Sequence, residues 1–415
     1  MRAANEPIPI GEETIEITQD EVLIRTEAQI YLRLLPKPCL IIECEVPAST
    51  RFLSAKYGQS ITLIKSAIDM NIVLLQSTGK DGQSKLFFTP AYEPYTVLEK
   101  AEEQLETVVF DIINFAKFYG KEPQIIETDG WLIEISSVPE FNEIDKTLKT
   151  QGGYAITHCG TLKQSNGNTF PISEAQSVIE ALQLFLSFMR GAYCSPVLPV
   201  GTNCNGEEVW KQWGTRTIEP WGWAPSFFDT VPSIPLADVF HGFWSAFNKN
   251  PIQKKTIQIA LQWYLRSNRN NGDMAGGLFL SQAALERLAN LYGFNKRHRS
   301  AKNIRAFLDK LKISTKIPSH LKSLQNLVDQ HPARYGTSDG PYVLTEVRNN
   351  LIHPDHIWED ISGNFEYETW NLAQWYIELA LLAVFGFNGQ YGNRLINGRP
   401  TYMVKSVPWA AEQKD

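Results

Sequence analysis

The sequence predicts an α+β protein in which a β-rich N-terminal half, mostly antiparallel sheet or sandwich, precedes an all-helical bundle. Apolar residues alternate with period two from residue 12 to about 165, which is typical of strands with one buried face. Beyond residue 232 the apolar spacing changes to 3.6, which is typical of amphipathic helices. A chain of 415 residues also exceeds one typical core. We therefore expect a β-rich domain over 1–232, a helical bundle over 233–395 and a tail over 396–415.

The strands of the N-terminal half are predicted from segments that are rich in β-branched and aromatic residues. Gly, Pro, Asp and Asn separate them, as expected for turns. The segments are "TIEITQ", "VLIRTEAQIYLRLL", "CLIIECEV", "SITLIK", "NIVLLQ", "KLFFT", "WLIEIS" and "GYAITHCGTL". The stretch from Leu98 to Tyr119 is compatible with a helix, although "TVVFDIINF" within it is equally compatible with a strand.

One long helix is predicted near 173–191, at the end of the β-rich half. Ser173 followed by Gln176 resembles a capping box, and helical apolar spacing follows it. After this helix, "PVLPVG" and "EVWKQWGTRTIEPWGWAPSFFD" indicate short extended segments. The composition of "VPSIPLAD", at 231–238, is that of a linker.

The helical half is predicted to contain six helices that form a bundle. Their expected positions are near 236–248, 252–268, 277–293, 302–312, 342–353 and 366–386. The longest apolar run, 375–387, is too short to cross a bilayer and contains Glu378, so we expect a buried helix and no membrane partner.

Composition argues against several classes of function. No apolar segment of signal-peptide length opens the chain, so a cytoplasmic location is expected. Five scattered cysteines without CxxC spacing predict free thiols. His158, His241, His320 and His356 lack metal-ligand spacing, and no phosphate-binding glycine loop or nucleophile elbow occurs, so we expect neither a metal nor a cofactor.

A basic segment stands out in an otherwise acidic protein of net charge -6. Residues 291–322 contain nine Lys or Arg and one acid, Asp309. Closely spaced cations of this kind track phosphate backbones, although a solvated helix surface gives the same pattern. The candidate RNA-binding residues are Lys296, Arg297, Arg299, Lys302 and Arg305.

The stretch "LTEVRNNLIHP", residues 344–354, combines a helical core stripe with polar residues suited to chemistry. Asn349 and His353 fall about 40° apart on a face other than the core stripe, and the long side chain of Arg348 extends between them. Pro354 disfavours helix at His353, so we expect the imidazole at the helix end, where the helix dipole favours a cation. The candidate catalytic residues are therefore Arg348, Asn349 and His353.

This Arg, polar residue, spacer and His pattern resembles the signature of the HEPN superfamily, over roughly residues 235–395. The long apolar helix expected after the motif is also part of the resemblance. The resemblance implies a metal-independent endoribonuclease of toxin or antiphage-defence type, with a composite site across a homodimer. Arg348 would then hold the phosphate and His353 would transfer a proton. Asn349 would orient His353 or the phosphate. Products would be a 2′,3′-cyclic phosphate and a 5′-OH, with the β-rich domain binding a regulatory ligand or protein.

Other interpretations of these residues remain open. The alternative function is a non-catalytic module, in which the helical domain dimerises and binds nucleic acid or nucleotide. A structural interpretation pairs Arg348 with Glu346 or Asp355 and leaves His353 as a helix cap. The Trp-rich stretch, with Arg216, suggests base stacking or a carbohydrate-active enzyme, although packing is the commoner role of such residues. Its tryptophans are Trp210, Trp213, Trp221 and Trp223.

Overall fold

A computed structural model describes twelve stretches of the chain, and the protein folds as two compact units. The described residues are 3–19, 22–47, 59–64, 68–80, 82–118, 122–228, 234–269, 273–295, 300–330, 339–353, 364–396 and 404–410. Each unit combines separate segments of the sequence. The first unit comprises Met1–Lys117, Asp129–Gln183 and Cys194–Gly222, and the second comprises Phe118–Thr128, Leu184–Tyr193 and Trp223–Asp415.

Six antiparallel strands of the first unit close into a barrel in the order β1-β2-β3-β6-β5-β4. Alternate residues point inward, so that Ile15, Ile17, Ile30 and Ile42 form part of a buried interior. Closure follows from pairing of β1 with β4, for example Ile15 opposite Leu63. The strands are β1 (Ile8–Gln19), β2 (Val22–Arg33), β3 (Cys39–Pro47), β4 (Gln59–Leu63), β5 (Ile68–Lys80) and β6 (Gln83–Pro90).

A seven-stranded sheet follows the barrel in the chain, in the order β7-β13-β12-β8-β11-β10-β9. Its strands are β7 (Tyr95–Glu99), β8 (Thr107–Ile113), β9 (Gln124–Thr128), β10 (Trp131–Ser137), β11 (Ile156–Gln164), β12 (Ser195–Thr202) and β13 (Glu208–Trp213). The ambiguous stretch at 98–119 contains strand β8, in which Val108, Phe110 and Ile112 alternate as buried residues.

Two helices accompany this sheet in the chain, α1 (Phe141–Gln151) and α2 (Ile172–Arg190). Helix α2 confirms the helix predicted near 173–191. The predicted capping box was wrong, because Ser173 lies inside the first turn. The carbonyl of Pro171 instead accepts hydrogen bonds from the backbone N–H groups of Glu174 and Ala175.

The second unit contains most of the helices, and all six predicted ones are present. They are α3 (Leu236–Asn248), α4 (Pro251–Arg269), α5 (Met274–Leu291), α6 (Ser300–Lys310), α8 (Gly340–Ile352) and α9 (Phe365–Val384). Helix α7 (Lys322–Gln330) was not predicted. Short strands β14 (Gln390–Gly392) and β15 (Val404–Ser406) follow. The prediction of a mixed α+β protein with β-rich first and helical second halves is thus confirmed.

Helix α9 is the centre of the second unit, since it is buried on nearly every side from Thr369 to Leu382. This burial confirms the sequence interpretation of its apolar run as a core helix. In the described part of the chain, no helix is both long enough and apolar enough to cross a membrane.

Candidate functional site

Helix α8 carries the predicted catalytic residues, and local interactions define both of its ends. Asp339 caps the N-terminus, accepting a 3.3 Å hydrogen bond from the backbone of Tyr342, and Pro341 occupies the first turn. At the other end the N–H of His353 donates to the carbonyl of Asn349 at 2.9 Å. His353 itself has extended backbone, as expected for the residue before a proline. Pro354 lies outside the described residues.

The buried side of α8 follows the predicted core stripe. Val343, Leu344 and Val347 are buried, whereas Leu351 is half-buried. Glu346 and Asp355 were the alternative ion-pair partners of Arg348, but Asp355 lies outside the described residues. Among the residues that are described, Arg348 forms no ion pair with Glu346 or any other carboxylate.

The guanidinium of Arg348 is nevertheless held in place. Its Nη1 donates a 3.0 Å hydrogen bond to Oδ1 of Asn349, and its Cζ lies 5.8 Å from the ring centroid of Phe279 on α5. The side chain is half-buried, and Nε is buried without a hydrogen-bond partner in the structure. Arg348 is therefore a positioned cation whose charge is not balanced by a described carboxylate.

Four residues near the end of α8 form one surface, called here the α8 patch: Arg348, Asn349, Ile352 and His353. On a helix, residues four apart are neighbours, which places Ile352 beside Arg348 and His353 beside Asn349. His353 is exposed, and Ile352 keeps 42% of its surface in solvent. The patch thus combines a cation, an amide, an imidazole and an aliphatic side chain.

The predicted basic segment is only partly described. Lys296, Arg297 and Arg299 lie outside the described residues. Lys302 is exposed in the first turn of α6, whereas Nε of Arg305 forms an ion pair with Asp339. Arg305 is thus bound to the residue that caps α8.

The first residue of α6 contacts α5 close to the point where the side chain of Arg348 contacts it. The Ser300 hydroxyl accepts a 2.9 Å hydrogen bond from Nε2 of Gln282 and donates to the Glu286 carboxylate. Gln282 follows Phe279 by three residues, or about 4.5 Å along a helix. The start of α6 and the guanidinium of Arg348 therefore contact adjacent turns of α5.

The tryptophans of the Trp-rich stretch differ in exposure. Trp210 is fully buried, Trp213 packs against the barrel core and Trp221 packs against the small cluster around Ile144. These contacts agree with the packing interpretation. Trp223 differs, since 62% of its surface is exposed. Arg216, the proposed companion of the stack, lies 3.5 Å from a carboxylate oxygen of Glu180.

The remaining candidate groups occupy structural positions. His158 is buried between the rings of Phe115 and Phe141, and burial lowers its pKa to about 3. His241 shares a 3.1 Å hydrogen bond with Thr128. All five cysteines are thiols and form no disulfide with one another, as predicted. Within the described stretches, no three His, Cys, Asp or Glu side chains cluster as metal ligands.

A buried polar network that was not predicted from the sequence is centred on Arg394, which follows strand β14. Its guanidinium lies 3.4 Å from Glu378 and donates to Gln374 on α9 and Asn268 on α4. Glu378 also accepts a 2.7 Å hydrogen bond from Tyr264. The available signal was Glu378 itself, because a carboxylate inside an apolar helix requires a buried partner.

Comparison with known proteins gives a different relationship from the one that the α8 motif suggested. No solved structure matches the chain. The SPbeta prophage-derived uncharacterized protein YopA of Bacillus subtilis strain 168 is 25% identical over 437 residues, covering 98% of this chain and 95% of that protein.

Two segments of the chain match described domain families. Residues 250–405, which contain the whole α8 patch, match the YopA C-terminal domain rather than a HEPN family. The HEPN resemblance was therefore wrong, because an Arg and a His five positions apart on an amphipathic helix form too short a pattern to define a family. Residues 100–224 match the YopA central domain, so both matched segments are similar to YopA domains.

Proposed function

We propose that the helical unit binds RNA through the α8 patch, with Arg348 as its phosphate contact. The observation that carries this proposal is the guanidinium of Arg348, which is fixed by Asn349 and Phe279 yet balanced by no described carboxylate. Partly buried charges are normally paired, since their desolvation is costly. A phosphate would supply a counter-charge and accept paired hydrogen bonds from the planar guanidinium.

Arg348 lies near the C-terminal end of α8, so its positive charge determines whether that end attracts or repels an anion. The last carbonyls of a helix carry partial negative charge, which favours cations and repels phosphate. Without Arg348 the α8 patch would present that negative end to an anion. Replacing the arginine with a neutral residue is therefore expected to remove an attraction and expose a repulsion.

In our proposal Lys302 extends this positive potential, and the basic residues that precede Ser300 in the sequence remain candidate RNA contacts. Lys302 is exposed at the start of α6, which contacts the turn of α5 adjacent to the one that Arg348 contacts. Lys296, Arg297 and Arg299 precede Ser300 directly in the sequence. Clustered cations near one phosphate contact favour a polyanion over a small anion, because each additional contact releases counterions.

Fluorescence anisotropy with a labelled, unstructured 12-nucleotide RNA in EDTA tests the binding function. Arg348→Gln is expected to weaken binding by about tenfold to a hundredfold, which is the range of a charge-assisted hydrogen bond. Arg266→Gln, at an exposed arginine on α4, is the matched control and should bind like wild type. Equal affinities of the Arg348→Gln and Arg266→Gln proteins would contradict the proposal.

RNA cleavage is the second candidate function, favoured by the exposure of His353 one turn beyond Asn349. Cleavage by 2′-OH attack without a metal requires one base and one acid. Each α8 patch offers a single histidine, so this function requires a homodimer that brings two patches together. The β-rich unit would then regulate a cytoplasmic nuclease.

The cleavage hypothesis is tested by incubating RNA with the protein in EDTA. His353→Ala should abolish formation of 2′,3′-cyclic phosphate ends, while the phosphate contact of Arg348 retains most of the RNA affinity. Full specific activity at dilutions where the protein is monomeric would rule out a composite dimer site. Absence of cleavage by the wild-type dimer would leave RNA binding as the function.

A further inference from the structure

The exposed aliphatic side chain of Ile352 is the unusual component of the α8 patch. We propose that the patch selects unpaired nucleotides, with Ile352 and His353 packing against a base while Arg348 holds the neighbouring phosphate. This inference rests on the RNA-binding function proposed above and specifies the ligand as single-stranded.

The geometry of α8 places these groups side by side. Arg348 and Ile352 are four residues apart, so their Cβ atoms are separated by about 5–6 Å. His353 follows Ile352 directly and is also exposed. A ligand that reaches the guanidinium therefore has an exposed aliphatic side chain beside it and an exposed imidazole one residue further along the chain.

Such a mixed surface suits an unpaired nucleotide better than a duplex. In a duplex the base faces are stacked inside, so a protein meets mainly phosphates and groove edges. An apolar side chain beside a cation then contributes little to the affinity, because no base face is accessible to it. Unpaired bases expose their faces and pack on aromatic or apolar side chains, while the backbone follows the positive charges.

The solvent exposure of Ile352 makes a structural explanation weak. Core residues of α8 such as Val343, Leu344 and Val347 are buried, whereas 42% of the surface of Ile352 is exposed. A polar replacement at Ile352 should therefore have little effect on folding. Its effect on binding should depend on whether the ligand presents a base.

The test compares the unstructured RNA with a blunt-ended 12-base-pair RNA duplex, by anisotropy at one salt concentration, and expresses each variant's affinity relative to wild type on the same RNA. Ile352→Ser should weaken binding of the unstructured RNA by about fivefold, the low end for loss of a base-packing contact, and leave duplex binding unchanged. Ile352→Tyr should restore or strengthen binding of the unstructured RNA. Ile252→Ser is the matched control, because Ile252 is a 76% exposed isoleucine on α4.

Each outcome separates this inference from the proposed function. If Ile352→Ser weakens both RNAs equally, or neither, the selection of unpaired nucleotides is overturned. Arg348→Gln measured in parallel then shows whether phosphate binding survives. If neither Ile352→Ser nor Arg348→Gln alters binding, both proposals fall together. Thermal melts of each variant identify any loss of folding.

Discussion

Replacing Arg394 with methionine is expected to destabilise the second unit strongly. Arg394 and Glu378 both have fully buried side chains, 3.4 Å apart. The same guanidinium donates to Asn268 at 2.8 Å, to Gln374 at 3.2 Å and to the carbonyl of Pro225 at 3.2 Å. Methionine has similar length but supplies no charge and no donor.

The expected loss of stability follows from the interactions that each partner of Arg394 loses. Pro225 keeps a 2.8 Å hydrogen bond from Asn268, and Glu378 keeps its hydrogen bond from Tyr264. The carboxylate of Glu378, however, stays buried and loses the guanidinium that lies 3.4 Å from it. Removing one member of a buried ion pair costs about 3–5 kcal/mol, which is a large share of the 5–15 kcal/mol stability of a typical domain.

A double-mutant cycle tests this reasoning by urea denaturation, followed by the fluorescence of the buried tryptophans of α9. Glu378→Gln should cost less than Arg394→Met, because the guanidinium keeps three neutral acceptors. The double variant should be more stable than Arg394→Met alone, since it contains no uncompensated buried charge. A loss below about 1 kcal/mol for Arg394→Met, or strictly additive effects, would refute the account of the network.

Two further predictions concern acid stability and the basic segment. His158 is neutral in the fold, with a pKa of about 3 against an ordinary 6.5, so only the unfolded chain gains the proton as pH falls below 6.5. Stability should therefore fall by about 2 kcal/mol between neutral pH and pH 5. In urea denaturation, His158→Gln should lose this pH dependence of stability, whereas His320→Gln should keep it. An equal pH dependence of the two variants would contradict the assignment of the effect to His158. In the basic segment, Lys302→Glu should weaken RNA binding without affecting melting. Arg305→Gln should lower the melting temperature, because Asp339 loses its ion pair, and should leave the salt dependence of RNA binding unchanged. The opposite pair of results would make Arg305 the RNA contact and Lys302 the structural residue.

Local periodicity was sufficient to predict most elements of the fold. Helices such as α3 and α9 carry long amphipathic or apolar patterns, and their predicted bounds agree with the structure within two residues. Helix α1 was missed because only Phe141, Ile144 and Leu148 mark its buried face, over eleven residues between two strands. Barrel closure was not predictable, because pairing of β1 with β4 is a long-range contact that alternation alone does not specify.

For the candidate site, spacing predicted which residues share a helix face, but it did not show what each side chain contacts. The placement of Asn349 beside His353 follows from helical geometry. The contact of Arg348 with Phe279 joins α5 to α8, and the ion pair of Arg305 with Asp339 joins α6 to the start of α8. Both depend on tertiary packing, so neither was visible in the sequence.

The salt dependence of RNA binding by Arg348→Gln tests the central claim most directly. A phosphate contact made by Arg348 contributes about 0.7 to the slope of log affinity against log salt for a single strand. The slope for Arg348→Gln is expected to be shallower by about this amount, and the slope for Arg266→Gln is expected to equal the wild-type value. An unchanged slope for Arg348→Gln would show that its guanidinium meets no phosphate, and the proposed function would be contradicted.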